Sequence, residues 1–538
     1  MPDCPVIIAL DWDAFYCSVE EHHDPSLKNV PFAVRQKSII CTCNYIAREK
    51  GVKKLQRLVE AIETCPEMRI VNGEDLSRYR DASKELWQFV KLIIWQGKVE
   101  RLGFDELFLD VTIMIDFNLE LIRHEGLLND LDALFKCCRQ SNSFWFRLDK
   151  NDKTKGFACS LTTIPGHFGT DAGMPKHISE NEIRLILGFH LCEYVRRQIF
   201  DVKGYTSSGG VSTNKLLSKM AGAQNKPNQQ TLLFPQYAQD FLDDKDIARI
   251  PGMGHSYKKL LLHAMYGQKQ KKLDSDDFKV ISVRSNITKG RFIQVFKHNN
   301  GHRLWDLIHG IDNSCVRPTA EIPTQVSIED TFMSLSSLDE LKPVLHRLSE
   351  SLLARMRIDL KSNGLWIGYP SRIRLTLRHR ASDYGARISK SEVIPSTVFK
   401  DERDVREVAS VLVERVVMPL FKKLVHDARS FDIVLVNIAA VNIESSPVQA
   451  KDITLFLDRQ KRPNANKILN QQVKKSRVDE GVSESSSDEQ NADWIDEADE
   501  DNQYDYDDCG HQLCGLCGTR MLTFAVDAHM RFHEANNE

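Results

Sequence analysis

Five apolar residues, Val6 to Leu10, run directly into Asp11 and constrain this chain more than any other feature. The stretch VIIALDWD reads as a buried strand that ends in carboxylates. The following AFYCSVEEHH reads as a helix, with Asp13 placed as its N-cap. Further on, VERLGFDELFLDVT (Val99 to Thr112) gives two short β-type runs around Phe104, Asp105 and Glu106. A hairpin there would hold two adjacent carboxylates on a rigid sheet. One strand-end carboxylate plus an Asp-Glu pair is the minimal equipment for two divalent ions. Hard Mg2+-type cations take oxygen ligands and keep positions open for substrate phosphates. Two of them about 3.5–4 Å apart can clamp the attacking and leaving oxygens of an in-line phosphoryl transfer.

The length of 538 residues suits three to four domains, and 42% hydrophobic residues suffice to bury their cores. There is no internal repeat. No apolar run approaches the roughly 18 residues that cross a bilayer, so a soluble intracellular chain without a membrane partner is expected. The 13 cysteines are mostly scattered singly, and an odd count without a secretion signal argues for reduced thiols. Charge is unevenly distributed. Between Asp479 and Asp508 lie 14 acidic residues and no Lys or Arg, and removing them takes the formal charge from −3 to +11. A basic body with an acidic arm suits a polyanion-binding protein.

Periodic signals continue to about Ile443. Within 322–443, IPTQVSIEDTF predicts a strand, and Leu341, Val344, Leu345, Leu348, Leu352 and Met356 form a helical stripe. RIRLTLRHR alternates, ARISKSEVI is a further strand, 404–425 an amphipathic helix and DIVLVNIAAV a last strand. The order β-α-β-β-α-β predicts one compact split-βαβ domain. From Glu444 to Asp508 too little apolar material remains to offset the entropy of ordering, and a disordered linker is expected.

ALDWDAFYCSVE, TCNYIAREKGVKK, ERLGFDELFLD and NKLLSKMAGAQNKPNQQT occur in this order and together resemble the palm and fingers motifs of Y-family lesion-bypass DNA polymerases. With IPGMG and the C-terminal βαββαβ region, the resemblance covers about residues 1–445. It implies an α+β, right-hand polymerase. The palm would take 1–25 and 97–225, the fingers 26–96, a helical thumb 226–315 and a little finger 322–445. A disordered linker (446–508) and a small zinc finger (509–538) would follow. The implied activity is template-dependent, low-fidelity addition of dNTPs to primer-template DNA opposite damaged bases. Asp11, Asp105 and Glu106 would bind two Mg2+ (or Mn2+) ions with the Trp12 carbonyl. Tyr16 would be the steric gate against a ribose 2′-OH. Thr42, Tyr45, Arg48, Lys54 and Lys226 would contact the incoming nucleotide; Tyr45 and Arg48, three apart on a helix, share a face.

The stretch AVRQKSIICTCNY resembles one branch of the family, in which it is short and carries a Gln and a branched residue over the templating base. Gln36 and Ile39 are the matching positions, with Lys37 and Cys41 nearby. The Gly-rich version of a second branch is missing; an enzyme of that second branch and a non-catalytic damaged-DNA adaptor are the alternatives. Residues 113–206 are enlarged relative to the family pattern.

ARIPGMGHSYKKLL reads as a helix-hairpin-helix in which Gly252 and Gly254 let backbone N–H groups approach phosphates, with Lys258 beside them. Period two in RIRLTLRHR puts Arg372, Arg374, Arg378 and Arg380 on one face and Ile373, Leu375 and Leu377 on the other. Such a strand tracks a duplex backbone without reading sequence. In the tail, Ile453, Phe456 and Leu457 resemble a degenerate sliding-clamp-binding plug. Lys461-Arg462 and Lys474-Lys475-x-Arg477 look like a bipartite nuclear signal. Cys514-x-x-Cys517 and His529-x-x-x-His533 have tetrahedral Zn2+ spacing. The module resembles ubiquitin-binding fingers, with Arg531 where those carry an aspartate.

Overall fold

The apolar opening folds as foreseen: Ile7–Trp12 is the central strand of a six-stranded sheet and is buried along nearly its whole length. The computed structural model describes residues 4–445 except 125–142, 161–163, 176–177, 267–277, 297, 381–385, 400–403 and 426–430, together with 511–513 and 520–522. The chain divides into two compact units, Met1–Thr319 with Asn502–Glu538, and Ala320–Asp501.

In the first unit the sheet order is Val99–Leu102, Glu106–Asp110, Ile7–Trp12, Ser207–Ser212, Gln230–Leu232 and His167–Phe168. The first four strands are mutually antiparallel and the last two pairings are parallel. Strand Ser207–Ser212 reads SSGGVS, and its two glycines face opposite ways, as the pleat requires. A Cβ on Gly209 would meet the Cys192 sulfur at 2.5 Å, on the long helix Glu180–Lys203. One on Gly210 would meet the Ser218 carbonyl oxygen at 1.9 Å and the Gly222 nitrogen at 2.3 Å, on helix Lys215–Gly222. The sheet is thus covered on both faces at this point, and the second helix lies backbone against backbone. The long helix is bounded by a Ser179/Glu182 capping box and by Gly204 at φ 73°.

Between the carboxylate hairpin and the long helix lie helix Thr112–His124 and a hairpin, Ser143–Arg147 with Gly156–Ser160. The hairpin is fixed by Asn118, which exchanges hydrogen bonds with the Arg147 backbone, and by a Phe146–Phe157–Tyr194 ring stack at 4.9 and 4.7 Å. Residues 32–72 form a small three-stranded sheet, Ile39–Cys43, Phe32–Gln36 and Arg69–Asn72, around its own core of Ala33, Ile40, Cys43 and Ala61. Helices between Ala238 and Ile308 gather a third core around Phe241, Leu242, Phe292 and Leu304.

The second unit has the order expected for 322–443. Its sheet runs Gln325–Leu335, Ile433–Ser445, Gly368–His379, Arg387–Val393, all antiparallel. Helix Leu338–Asp359, opened by a Ser337/Glu340 capping box, buries Leu341, Leu345, Leu348, Leu352 and Met356. The expected helix over 404–425 is interrupted by a π-turn at Val413–Val417. The linker and most of the Cys/His module lie outside the described residues, apart from an antiparallel pair, His511–Leu513 with Arg520–Leu522.

The close approach at Gly210 makes a quantitative expectation. Gly210→Ala should destabilise the first unit by about 3 kcal/mol, because the clash is with backbone that cannot rotate away. Gly254→Ala, where nothing lies within 4 Å, should change stability by less than about 0.5 kcal/mol. Denaturant midpoints of the two variants check this.

Candidate active site

Asp11 sits near the end of the central strand, paired across to Glu106 on one side and Ser208 on the other. Gly103, at φ 66°, turns the adjoining hairpin, and the Trp12 N–H donates to the Asp105 carbonyl at 2.9 Å. Three carboxylates therefore reach one end of the sheet. The Trp12 ring is buried in the core, so only its backbone belongs to the site. Burial pushes the Asp11 carboxyl up to about 7, against the opposing pull of Lys226 and with help from Glu106 and Asp105. Asp105 is raised for the same reasons, burial first and Glu106 next.

Two lysines offset this crowding. Lys226 Nζ pairs with Asp11 Oδ2, and Lys219 Nζ donates to Glu106 Oε2 at 2.7 Å. One turn earlier on the same helix, Lys215 donates to Glu100 at 2.9 and 3.0 Å. Among the described residues no group of three or more His, Cys, Asp or Glu side chains is arranged to hold a metal ion. As they stand, Asp11 and Glu106 face lysines. The donor set itself, three carboxylates on neighbouring backbone positions, is of the hard-oxygen kind that Mg2+ takes.

Helix Tyr45–Glu49 is capped by Asn44 and carries Arg48 over the Tyr45 ring at 4.5 Å. Arg48 also donates to the Cys43 carbonyl at 3.0 Å and to Thr42 Oγ1 at 3.4 Å. Burial pushes the Tyr45 phenol up to about 12, and the charges of Asp13 and Asp11 act in the same direction. Lys226 pairs with Asp11 and Tyr45 feels the charges of Asp13 and Asp11, Arg48 and Thr42 are joined to Tyr45 through the contacts above, and Lys54 is exposed on a loop. Tyr16 is half-buried and stacks on Tyr79, ring centroids 4.1 Å apart and planes 9° from parallel. The Tyr79 hydroxyl donates to the buried Glu20 at 2.5 Å, and Arg78 donates to the other oxygen of Glu20 at 2.7 Å.

Gln36 Nε2 donates to the Gly73 carbonyl at 3.0 Å, and Lys37, at φ 53°, donates its N–H to Glu74. Ile39 is exposed. The Cys41 thiol is pushed up by burial and then by the charge of Asp105, which ties it to the carboxylates.

At the glycine turn, Gly252 takes φ 86° and precedes helix His255–Tyr266. Lys258 has protein partners there: it donates to Asp246 at 2.6 Å and lies 3.7 Å from the Phe278 ring centroid. In the second unit, Ile373, Leu375 and Leu377 face the core, and Arg372, Arg374 and Arg378 the other side. Arg380 departs from the expected row. The strand ends at His379 beyond a register shift, and Arg380 pairs with Asp432 at 2.8 Å. Strict alternation of the residue types cannot reveal a bulge. The clamp-type residues Ile453, Phe456 and Leu457, the basic nuclear-type signal, and Cys514, Cys517, His529 and His533 lie outside the described residues.

Sequence reasoning missed Lys219, Tyr79 and Glu20, and it misread Asp13. A lysine four residues from another on an otherwise buried helix face was the available signal for Lys219. Asp13 does not cap the first helix. The N-cap position is Ala14, in the left-handed region and without a side-chain cap. Asp13 is turned into the interior, where it bonds Ser208 and Asn228.

Fold and site define a multidomain α+β protein that gathers three carboxylates and two lysines at one end of a largely antiparallel sheet. Residues 10–223 match the impB/mucB/samB family and residues 323–455 its C-terminal domain. The chain is similar to DNA polymerase iota of Homo sapiens (31% identical over 444 residues, 82% of this chain and 52% of that protein). It is also similar to DNA polymerase iota of Drosophila melanogaster (28% over 457 residues, 84% and 56%). DNA polymerase IV of Francisella tularensis subsp. novicida is 27% identical over 359 residues, 65% of this chain and 78% of that protein. The chain belongs to this family, that of the Y-family DNA polymerases, and among these relatives it resembles polymerase iota. It spans about half the length of the iota proteins it matches.

The Asp11 environment sets a pH dependence. The carboxyl titrates near 7 when folded and near 3.8 when unfolded, so the folded state binds more protons between those values. Stability therefore falls as pH rises through that window. Asp11→Asn should raise the melting temperature of the metal-free chain more at pH 8 than at pH 5. Calorimetry at the two pH values checks it; equal gains would contradict the burial argument.

Proposed function

We propose that this chain is a template-dependent, low-fidelity DNA polymerase that adds dNTPs to a primer opposite damaged bases. The observation that carries this reading is the convergence of Asp11, Asp105 and Glu106 at one sheet end, in a chain of a polymerase family. In this reading 1–25 and 97–225 are the palm, 26–96 the fingers, 226–315 the thumb and 322–445 the little finger.

Asp11, Asp105, Glu106 and the Trp12 carbonyl would hold two Mg2+ or Mn2+ ions. When bound, such ions neutralise charge at the attacking and leaving oxygens of phosphoryl transfer. The chain's own residues supply binding and orientation. Lys226, paired with Asp11, is a cation within reach of a triphosphate once the carboxylate is otherwise neutralised. Tyr45 keeps its proton at neutral pH and offers a hydroxyl donor beside the Arg48 guanidinium; Thr42 and Lys54 complete the set. Tyr16, braced by Tyr79, would set its ring against a ribose 2′-OH. Gln36, Lys37, Ile39 and Cys41 would border the templating base.

Gly252, Gly254 and Lys258 would approach primer-template phosphates in the thumb, Lys258 exchanging its pairing with Asp246 for a phosphate. Arg372, Arg374 and Arg378 would track the duplex from the little finger, and Arg380, beyond the strand end, would join them by exchanging its pairing with Asp432 for a phosphate. Zn2+ would be held by Cys514, Cys517, His529 and His533. The antiparallel pair that brackets Cys-x-x-Cys supports that reading. Ile453, Phe456 and Leu457 would bind a sliding clamp, the finger a ubiquitin or ubiquitinated clamp, and the basic signal would direct the chain to the nucleus. No helix among the described residues is long and apolar enough to cross a membrane.

Two measurements test this reading. Asp105→Ala combined with Glu106→Ala should reduce primer extension at least about 10³-fold while primer-template affinity stays within a factor of a few; extension near the wild-type rate would leave only a DNA-binding adaptor. Tyr16→Ala should raise rNTP incorporation far more than dNTP incorporation, and an unchanged ratio would return Tyr16 to a packing role.

A further inference from the structure

A carboxylate enclosed in the first unit has no part in the reaction described above. Asp13 is 3% exposed, and both of its oxygens are engaged. Oδ1 accepts from the Ser208 hydroxyl at 2.7 Å, and Oδ2 accepts from the Asn228 backbone N–H at 2.9 Å. Ser208 belongs to the strand beside Asp11, whereas Asn228 belongs to the loop that carries Lys226. The side chain is therefore a crossbar between the sheet and that loop. It lies two residues beyond Asp11, and its loop partner lies two residues beyond Lys226. The Asp11–Lys226 ion pair and the Asp13–Asn228 hydrogen bond are consequently successive rungs between the same two segments.

The loop is held from its other side as well. Asn228 takes φ 50°, and its side-chain oxygen accepts from Arg196 Nη2 at 2.8 Å. Arg196 also donates to the Ser207 carbonyl at 2.8 Å and to Gln230 at 3.2 Å. Arg196 grips the loop by a side chain that can rotate; Asp13 grips its backbone. A hydrogen bond from a backbone N–H to a buried carboxylate is charge-assisted and directional, and it fixes the main chain itself. Lysine has a long, flexible stem, so the place of its ammonium depends on where the backbone two residues away is held.

We infer that Asp13 is a positioning residue that holds the 225–229 loop so that Lys226 stands over Asp11, where it meets the triphosphate of the incoming nucleotide. The nucleotide part of this assignment rests on the polymerase reading; the crossbar does not.

The experiment uses the full chain and two readouts. Amide hydrogen exchange, followed by mass spectrometry without metal or nucleotide, should show the peptide spanning 225–229 protected in the wild type. It should be protected in Asp13→Asn too, where one oxygen still accepts from Asn228 and the amide donates to a rotated Ser208 hydroxyl. Protection should be lost in Asp13→Ala. Asp13→Ser, polar but too short to reach Asn228, should behave like Ala and serves if Ala does not fold. In single-nucleotide extension, Asp13→Ala should raise KM for dNTP by about tenfold or more with kcat within about threefold, and Asp13→Asn should restore KM. Lys226→Ala should raise KM comparably, and adding Asp13→Ala to it should change nothing further. Unaltered exchange in both Ala and Ser variants would overturn the crossbar. A double variant whose KM rises as the product of the two single effects would overturn the route through Lys226. If the wild type extends no primer, the polymerase reading fails while the exchange result still decides the crossbar.

Discussion

The constraint that organises the first unit is the crowding of three carboxylates at one sheet end, which costs stability. Asp11 and Asp105 are buried enough for their proton affinities to rise, and each like charge beside them adds to the cost. That arrangement persists because cations approach from two directions, Lys219 from a packed helix and Lys226 from a loop. A site poised in this way has a strong preference for added positive charge. This is the electrostatic condition that a metal-assisted phosphoryl transfer requires of the protein.

The packing serves that condition. Helix Lys215–Gly222 approaches strand Ser207–Ser212 at Gly210 closely enough that any side chain there would strike its backbone. Close approach lets Lys215 and Lys219, one turn apart, reach Glu100 and Glu106 on the hairpin. The hydrophobic core behind the sheet, with Ile8, Leu10, Leu107, Ile186 and Phe189, keeps this end rigid. Preorganisation of charge in a rigid frame is more effective than charge on mobile loops.

Beside the carboxylates, the aromatic wall is organised by one more buried acid. Glu20 accepts from Tyr79 and Arg78, and Tyr79 in turn supports Tyr16 by parallel stacking. The Tyr16 ring thus rests on a hydrogen-bonded base instead of a purely apolar one. Such a base fixes the direction as well as the depth of packing.

Much of this was legible in residue order. The buried first strand, the carboxylate hairpin, the βαββαβ order of the second unit and the Tyr45–Arg48 helix face all follow from local periodicity and turn chemistry, because each depends on neighbours within a few residues. What only tertiary structure decided are the pairings across long separations: Lys226 with Asp11, Lys219 with Glu106, Tyr79 with Glu20, and Asp13 with Asn228. Asp13 shows the reason. Locally it satisfies every rule for a helix N-cap, yet the chain at Ala14 turns left-handed and the carboxylate finds partners 195 and 215 residues away. Arg380 shows the same limit in the second unit, where a strand bulge ended an alternation that the letters continue. Sequence determined which segments form strands and helices and which residue types reach the sheet end. The tertiary fold chose their partners, since a buried charge is stabilised by whatever group the fold brings to it, however distant in the chain.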